Sequence, residues 1–305
     1  MEIYDYICAK GKLSEKHKKE LKEKRGFSDE TIQQFRFFSG GNYLLEYEAE
    51  LNKTFTPDAL LAAGVMINSG KSPTFNPQLL EDKVIIPYLN DGQVALLRPH
   101  KYGLKDTGIQ VYAASWGKNL IITEGEFKAV AAHQLGFNAI ALPGVSSFSG
   151  EHFPTLIKLL NDHQVKDICI IFDSENKSDP NLPNFKANPS QRYDTEYFSY
   201  LMTYLLEREG KTVKIGKLPE SWQVKGKVDL DGALAQGKTA DDIKGVIASS
   251  LSAKDYFDSL PKDAQKIIRK KKDKRYFRSH ISVAHGCYVA TRFRNGEPFP
   301  EEISN

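Results

Sequence analysis

The sequence predicts an α/β protein in which a parallel sheet is covered by helices on both faces. From residue 119 onward, short apolar segments alternate with helical segments, a pattern typical of strands joined by helical crossovers. The predicted strands are LIIT, NAIAL, DICIIF and TVKIG. Two of the intervening helices end at Gly136 and Gly210, because glycine readily takes the left-handed conformation found after helix ends.

The first third of the chain predicts a smaller α+β unit. Thr56 and Pro57 mark the start of a helix as its cap and first residue, and Asp91-Gly92 separates two apolar runs in KVIIPYLNDGQVALLRP. Asp-Gly between two such runs is a strong β-hairpin signal. We therefore predict three parts: a basic α+β subdomain over residues 1–115, the parallel-sheet domain over 116–245 and a helical basic C-terminal segment or linker over 246–305.

Composition places the chain among ordinary globular proteins. It has 305 residues, of which 40% are hydrophobic and 27% charged, which suits about two domains. No apolar run approaches the roughly 20 residues that cross a bilayer, and the first residues lack the apolar core of a signal peptide, so a cytoplasmic protein is expected. Its three cysteines lie far apart without a CxxC pair, so neither a disulfide framework nor a zinc site is expected.

Basic residues are concentrated near both ends of the chain, although the net charge is only +3. The segments are KGKLSEKHKKELKEKR (10–25) and KDAQKIIRKKKDKRYFR (262–278). They are either solvated helix faces or a rim that contacts phosphates, since cations along a polyanion bind it by releasing counterions. The sequence leaves both readings open.

Acidic side chains follow three predicted strands. They are Glu124 and Glu126, Asp173 and Glu175, and Asp229 and Asp231. Because the carboxyl ends of parallel strands meet at one edge of a sheet, these acids are expected to lie close together. Clustered carboxylates repel unless cations lie among them, and hard oxygen ligands suit Mg²⁺ or Mn²⁺. Glu126 is expected outside the ligand set, because the helix dipole alone favours an acid in a first turn.

The order of these motifs resembles a known family. A Glu-Gly after the first strand, ALPGVSSF after the second, an acidic D-x-E after the third and a later D-x-D resemble the TOPRIM domain, a Rossmann-like parallel sheet flanked by helices. Upstream, KRGFSDETIQQFRFFSG and LEDKVIIPYLNDGQVALLRPHKYGLKDTGIQVY are similar to the N-terminal part of the catalytic core of DnaG-type primases, especially those of phages and plasmids. The resemblance spans roughly residues 20–240.

The resemblance implies roles for individual residues. Glu124 would be the catalytic acid/base, and two Mg²⁺ or Mn²⁺ ions would be bound by Asp173, Glu175, Asp229 and Asp231. The basic residues expected at the template or the incoming triphosphate are Arg98, Lys101 and Lys105. Glu175 stands where the family usually has Asp, and no Cys or His spacing matches the zinc-binding module that precedes the core in the family.

The expected function is therefore that of a primase. A primase-like nucleotidyltransferase would join ribonucleoside triphosphates into short primers on single-stranded DNA, in replication of a mobile element, phage or plasmid, with a replicative helicase as a further partner. Two alternatives remain. The same acids could hydrolyse phosphodiesters in a TOPRIM nuclease, or the chain could be a non-catalytic nucleic-acid-binding replication module.

Overall fold

The structure is a computed structural model that describes residues 2–70, 73–90, 92–100, 111–148, 152–276, 280–284, 287–294 and 297–302. Its helices are α1 Ile3–Lys10, α2 Glu15–Lys19, α3 Asp29–Gln34, α4 Glu48–Thr54, α5 Pro57–Ala62, α6 Pro77–Leu80, α7 Glu126–Gln134, α8 Phe153–Asp162, α9 Pro189–Arg192, α10 Asp194–Arg208, α11 Leu230–Ala235, α12 Ala240–Ala248, α13 Ala253–Ser259 and α14 Lys262–Tyr276. Its strands are β1 Phe38–Ser39, β2 Met66–Asn68, β3 Pro73–Phe75, β4 Val84–Asn90, β5 Gln93–Pro99, β6 Tyr112–Ser115, β7 Asn119–Glu124, β8 Ala139–Leu142, β9 Asp167–Ile170, β10 Ser174–Glu175, β11 Thr212–Ile215, β12 Lys227–Val228, β13 His280–Ala284, β14 Cys287–Arg294 and β15 Glu297–Glu302.

A five-stranded sheet forms the centre of the molecule. Its strand order is β11-β9-β7-β8-β6, and every neighbouring pair is parallel except β6 with β8. All four residues of β8 and three of the four in β9 are buried, as expected for strands covered on both faces. The predicted mixed α/β class with a mostly parallel sheet is confirmed. The antiparallel edge strand β6 was not predicted.

The N-terminal part contains the predicted hairpin. Strands β4 and β5 pair antiparallel, and β1 extends them to a three-stranded sheet. This part packs directly on helix α7, where the ring of Phe127 lies 5.8 Å from that of Phe27 and 5.6 Å from that of Phe37, measured between centroids. One apolar core therefore continues from the N-terminal part into the central sheet.

The central unit extends beyond both predicted domain boundaries. Strand β6 ends at Ser115 and belongs to the central sheet, although the prediction placed residues up to 115 in the N-terminal subdomain. Helix α12 spans the second predicted boundary, and its residues Ile243 and Val246 are buried in the core that α7 also lines. Neither boundary coincides with a break in packing, because the core continues across both.

The last part of the chain differs from the predicted helical segment or linker over 246–305, because it also contains strands. Helices α12, α13 and α14 account for its first part, but β13, β14 and β15 form a three-stranded antiparallel sheet. The sequences HISVA and CYVATRFR contain several β-branched and aromatic residues, which favour strands. Asn295-Gly296 in the sequence is also a hairpin signal.

Among the described residues, no helix is long and apolar enough to span a membrane.

Candidate functional site

The predicted acids converge on the edge of the sheet where the parallel strands end. Glu124 is the last residue of β7, and Asp173 follows β9 by three residues. The short strands β10 and β12 pair antiparallel, with Glu175 opposite Lys227. Asp173 precedes β10 and Asp229 follows β12 at the same end of this pairing, so the register brings them together. Backbone pairing thus gathers acids that are distant in sequence.

Lys128, on the first turn of helix α7, extends into this group of acids. Its Nζ lies 2.7 Å from Oδ1 of Asp173 and 4.0 Å from Oδ2 of Asp229, and its side chain is only 14% exposed. A cation in the first turn of a helix is disfavoured by the helix dipole. The neighbouring carboxylates offset that penalty and hold the ammonium group in place.

Lys227 contacts three of the acids. Its Nζ lies 2.7 Å from Oδ2 of Asp173, 3.3 Å from Oε1 of Glu175 and 3.9 Å from Oδ2 of Asp229. A third lysine, Lys177, has its Nζ 2.7 Å from the other carboxylate oxygen of Glu175. We call the whole group the acid–lysine cluster, formed by Glu124, Asp173, Glu175, Asp229, Lys128, Lys177 and Lys227.

The acids of this cluster titrate differently from one another. Burial raises the pKa of Asp173, but Lys128 and Lys227 outweigh it, so the net pKa is lowered. For Asp229, burial and the nearby Asp231 raise the pKa to about 6 from the ordinary 3.8, although Lys128 opposes the change.

Glu124 also has a raised pKa, mainly because it is buried, with Lys128 acting in the opposite direction. Burial lowers the pKa values of Lys128 and Lys227, but their acidic neighbours, Asp173 foremost, outweigh it, so both values are raised and both ammonium groups stay charged. Asp173 is therefore held as an anion, whereas Asp229 and Glu124 take up protons more readily than ordinary carboxyls do.

Glu126, two residues after Glu124, lies in a different environment. Its Oε1 accepts a hydrogen bond of 2.6 Å from the hydroxyl of Tyr88 and forms an ion pair with Arg98, and both charged side chains are about 10% exposed or less. Arg98 also donates a 3.1 Å hydrogen bond to Tyr88. Contact between Arg98 and a template or triphosphate stays a prediction. Lys101 and Lys105 lie outside the described residues.

Asp231 also lies in a buried ion pair rather than among the lysines. It is 0% exposed and is bonded to Arg25, whose guanidinium lies 5.0 Å from the centroid of the Phe127 ring. Its other oxygen, Oδ1, is buried and has no hydrogen-bond partner among the residues that the structure describes. A role for Asp231 as a metal ligand remains a prediction that this pairing does not favour. Asp229 caps the N-terminus of helix α11, because its Oδ1 accepts a hydrogen bond of 2.9 Å from the backbone N–H of Gly232.

The residues present do not fit a divalent metal ion in the arrangement that the structure shows. Each oxygen of Asp173 lies 2.7 Å from the ammonium nitrogen of a lysine, and Glu175 forms ion pairs with two lysines. Within the part of the chain that the structure describes, no group of three or more His, Cys, Asp or Glu side chains has the geometry to hold a metal. The cations that the clustered acids require are supplied here by lysines.

The basic segment 10–25 is largely paired with acids of its own unit. Lys16 lies against Asp82, and both Lys18 and Lys22 contact Asp29. These contacts favour the solvated-face reading for that segment over a free phosphate-binding rim.

Sequence reasoning missed Lys128, Lys177, Lys227 and Arg25. One signal was available for Lys128, since a lysine three residues after the glycine that precedes a helix opposes the dipole and so indicates an acid nearby. Lys227 and Lys177 carried no such signal, because their positions depend on how β10 pairs with β12.

Comparison with known proteins identifies the fold. Residues 110–239 match the family described as "Domain of unknown function (DUF3854)", and no curated protein sequence matches the chain. The chain resembles the Aquifex aeolicus primase (zinc-binding and RNA polymerase domains) at a TM-score of 0.56 and 17% identity, over 90% of this chain and 65% of that one. It thus spans about two thirds of the length of that neighbour.

Two further structures agree. The DnaG primase catalytic domain bound to ssDNA has a TM-score of 0.56 and 15% identity, with 90% of each chain covered. The RNA polymerase domain of Mycobacterium tuberculosis primase DnaG, in complex with a double-stranded DNA oligomer carrying a 6-nucleotide overhang, has a TM-score of 0.54 and 13% identity, over 89% of this chain and 88% of that one. The chain has the fold of a DnaG primase catalytic core. At these identities the likeness shows the fold alone.

Proposed function

We propose that this chain is a primase-like nucleotidyltransferase that joins ribonucleotides on a single-stranded DNA template. The observation that carries the proposal is the convergence of Glu124, Asp173, Glu175 and Asp229 at the carboxyl edge of the sheet, in a chain with the fold of a DnaG catalytic core. Ligands of open parallel sheets bind at this edge.

Glu124 is the proposed acid/base residue. It ends β7 at the open edge of the sheet, and burial raises its pKa above the ordinary value for a glutamate. A carboxyl whose pKa lies closer to neutrality exchanges protons more efficiently with a reacting hydroxyl. In this proposal Glu124 accepts the proton of the attacking ribose hydroxyl while the hydroxyl oxygen bonds to the α-phosphorus of the incoming triphosphate and pyrophosphate leaves. Lys128 next to Glu124 favours the ionised form that can accept the proton.

DNA binding is proposed from the fold. Two structural neighbours are described as bound to single-stranded DNA or to a duplex with an overhang. If this chain binds single-stranded DNA through phosphates, log K should fall with log salt by about 0.7 for each phosphate neutralised. Ribonucleoside triphosphates and a replicative helicase are the other proposed partners, in the setting of a phage, plasmid or other mobile element.

Dependence on Mg²⁺ or Mn²⁺ is part of the proposal as a requirement to be tested. The acids predicted to bind the ions are bonded to lysines or arginine in the structure, so a bound ion requires at least one of these pairs to open.

A non-catalytic DNA-binding module is the second candidate. The specific observation in its favour is that Asp173, Glu175 and Asp231 are each paired with a basic side chain. A binding module can keep these pairs, whereas a metal-dependent polymerase has to open at least one of them to bind an ion. This candidate predicts salt-sensitive DNA binding without nucleotide incorporation.

The deciding experiment is primer synthesis by the wild-type chain. Purified protein is incubated with single-stranded DNA and labelled ribonucleoside triphosphates, in parallel with Mg²⁺, with Mn²⁺ and with a chelator, and products are resolved on a denaturing gel. We expect short oligomers that appear only with template and are sensitive to ribonuclease.

Other outcomes would redirect the assignment. DNA retardation without products under any condition would support the binding module. Degradation of labelled DNA without ribonucleotides, dependent on Glu124, would support the nuclease that the acidic pattern also permits.

A further inference from the structure

The ammonium group of Lys227 lies among three carboxylates of the acid–lysine cluster, where a bound metal cation would also lie. Its Nζ lies within 4.0 Å of carboxylate oxygens from Asp173, Glu175 and Asp229. These acids come from the two short paired strands and the residues that adjoin them, so the ammonium group balances charges that the backbone pairing forces together. A divalent ion at the same point would face the same three carboxylates.

Lys128 and Lys227 differ in how firmly they are held. The side chain of Lys128 is 14% exposed and extends from the first turn of a packed helix, whereas that of Lys227 is 40% exposed. Lys227 can therefore swing its ammonium group into solvent at little cost in packing, because long lysine side chains readily keep their charged ends in water. Lys128 has no comparable freedom.

We propose that Lys227 is an exchangeable internal cation that competes with divalent metal ions for Asp173, Glu175 and Asp229, while Lys128 is a permanent counter-ion. The inference rests on the proposed function only for the location of the site. Ion binding is measured without nucleotide incorporation, so the two proposals can fail separately.

The proposal has a direct electrostatic consequence. With Lys227 in place, an incoming divalent ion must displace an ammonium group that already balances part of the negative charge of the carboxylates. Replacing Lys227 by methionine removes the competing charge and leaves the same oxygens without that partner. Because like charges at this separation interact strongly even at a partly exposed site, divalent affinity should rise on the order of tenfold or more.

The test is a Mn²⁺ titration of the whole chain, in which the free ion is followed by electron paramagnetic resonance. Lys227→Met should bind Mn²⁺ on the order of tenfold or more tightly than the wild type. The matched control is Lys217→Met, since Lys217 is also a partly exposed lysine paired with one acid, Glu220, at 2.8 Å. The affinity of this control for Mn²⁺ should equal that of the wild type.

A second variant keeps the result interpretable. Lys227→Met combined with Asp173→Asn removes one cation and one anion together, so it should lose the gain in Mn²⁺ affinity. Circular dichroism confirms that each variant is folded, and Lys227→Gln replaces Lys227→Met if the latter is not. Mn²⁺ binding by a folded Lys227 variant that equals or falls below that of the wild type would overturn the proposal. So would an equal gain in Lys217→Met.

Discussion

Glu124 and Glu126 stand two residues apart in one motif, yet the structure gives them opposite surroundings. Glu126 faces the N-terminal part of the molecule, where one carboxylate meets one guanidinium and one tyrosine hydroxyl in a buried pocket. Glu124 faces the open edge of the sheet, among acids that share lysines. Gly125 between them has a φ of +82°, a left-handed conformation that allows the chain to turn from strand β7 into helix α7.

The later acidic pair divides in the same way. Asp229 lies with the lysines of the cluster, whereas Asp231 is fully buried against Arg25 of the N-terminal part. In both motifs the first acid contributes to the open cluster and the second anchors the N-terminal part to the sheet. The acids paired with arginine connect the N-terminal part to the sheet, while the acids that share lysines form the proposed site.

The largest expected effect on stability comes from Glu126→Gln. The change removes the carboxylate from a buried ion pair with Arg98, and breaking a buried ion pair by removing one partner typically destabilises a protein by about 3 to 5 kcal/mol. We expect a loss near the lower end, because glutamine can still accept a hydrogen bond. Urea denaturation measures it.

Glu220→Gln is the matched control for this prediction. Glu220 is paired with Lys217 on the surface, with a side chain 73% exposed, so its loss should change the free energy of unfolding by about 0.5 kcal/mol or less. Equal effects of the two variants would show that the Arg98 pair is not a structural anchor.

Asp231→Asn should destabilise the protein by a smaller amount, about 2 kcal/mol. Arg25 is 23% exposed, so water can partly solvate its charge once the carboxylate is gone. The substitution also removes a buried negative charge from residue 231. A double-mutant cycle with Arg25→Met measures the coupling between the two side chains. A coupling energy near zero would show that the pair of Asp231 and Arg25 does not stabilise the contact between the N-terminal part and the sheet.

Asp229→Asn should have an effect that depends on pH. The pKa of Asp229 is raised in the folded protein from 3.8 to about 6, so below about pH 4 the carboxyl is protonated in both the folded and the unfolded state. Between about pH 4 and 6 only the folded protein keeps the proton, so the carboxyl's contribution to stability decreases as pH rises through this window and stays low above it.

Asparagine has no such titration and remains a good helix cap. Asp229→Asn should therefore gain stability relative to wild type by about 2 to 3 kcal/mol on going from pH 4 to pH 7.5. Asp258→Asn, at an exposed position, is the control. A pH-independent difference between Asp229→Asn and the wild type would place the Asp229 carboxylate in a solvated environment outside the cluster.

Much of the fold could be predicted from the sequence because its signals are local. The alternation of apolar strands with helices ending at Gly136 and Gly210 predicted the parallel core, and the two apolar runs flanking Asp91-Gly92 predicted the β4–β5 hairpin. Strand β6 was missed because VYAAS is short and rich in alanine, and its position depends on pairing with the distant β8.

The site was predicted less completely for a physical reason. The positions of Glu124 and Asp173 after predicted strands could be read from the sequence, since strand ends are local features. Asp229 instead follows β12, a two-residue strand that was not predicted. The partners of the acids could not be predicted, because they depend on the register of β10 with β12 and on which face of the N-terminal part contacts α7. A count of acids alone gave no indication of the lysines that lie among them, and metal binding by these acids stays a prediction.

The most direct test of this account compares primer synthesis by Glu124→Gln and Glu126→Gln, assayed side by side at a temperature where both variants are folded. Glu124→Gln should lose about 10²- to 10⁴-fold in rate, as expected for removal of an acid/base group, while keeping its affinity for DNA. Glu126→Gln, corrected for its folded fraction, should stay within about tenfold of the wild type, since it alters an anchor rather than the reacting group. Equal losses in the two variants, or a greater loss in Glu126→Gln, would contradict the division of roles within this motif.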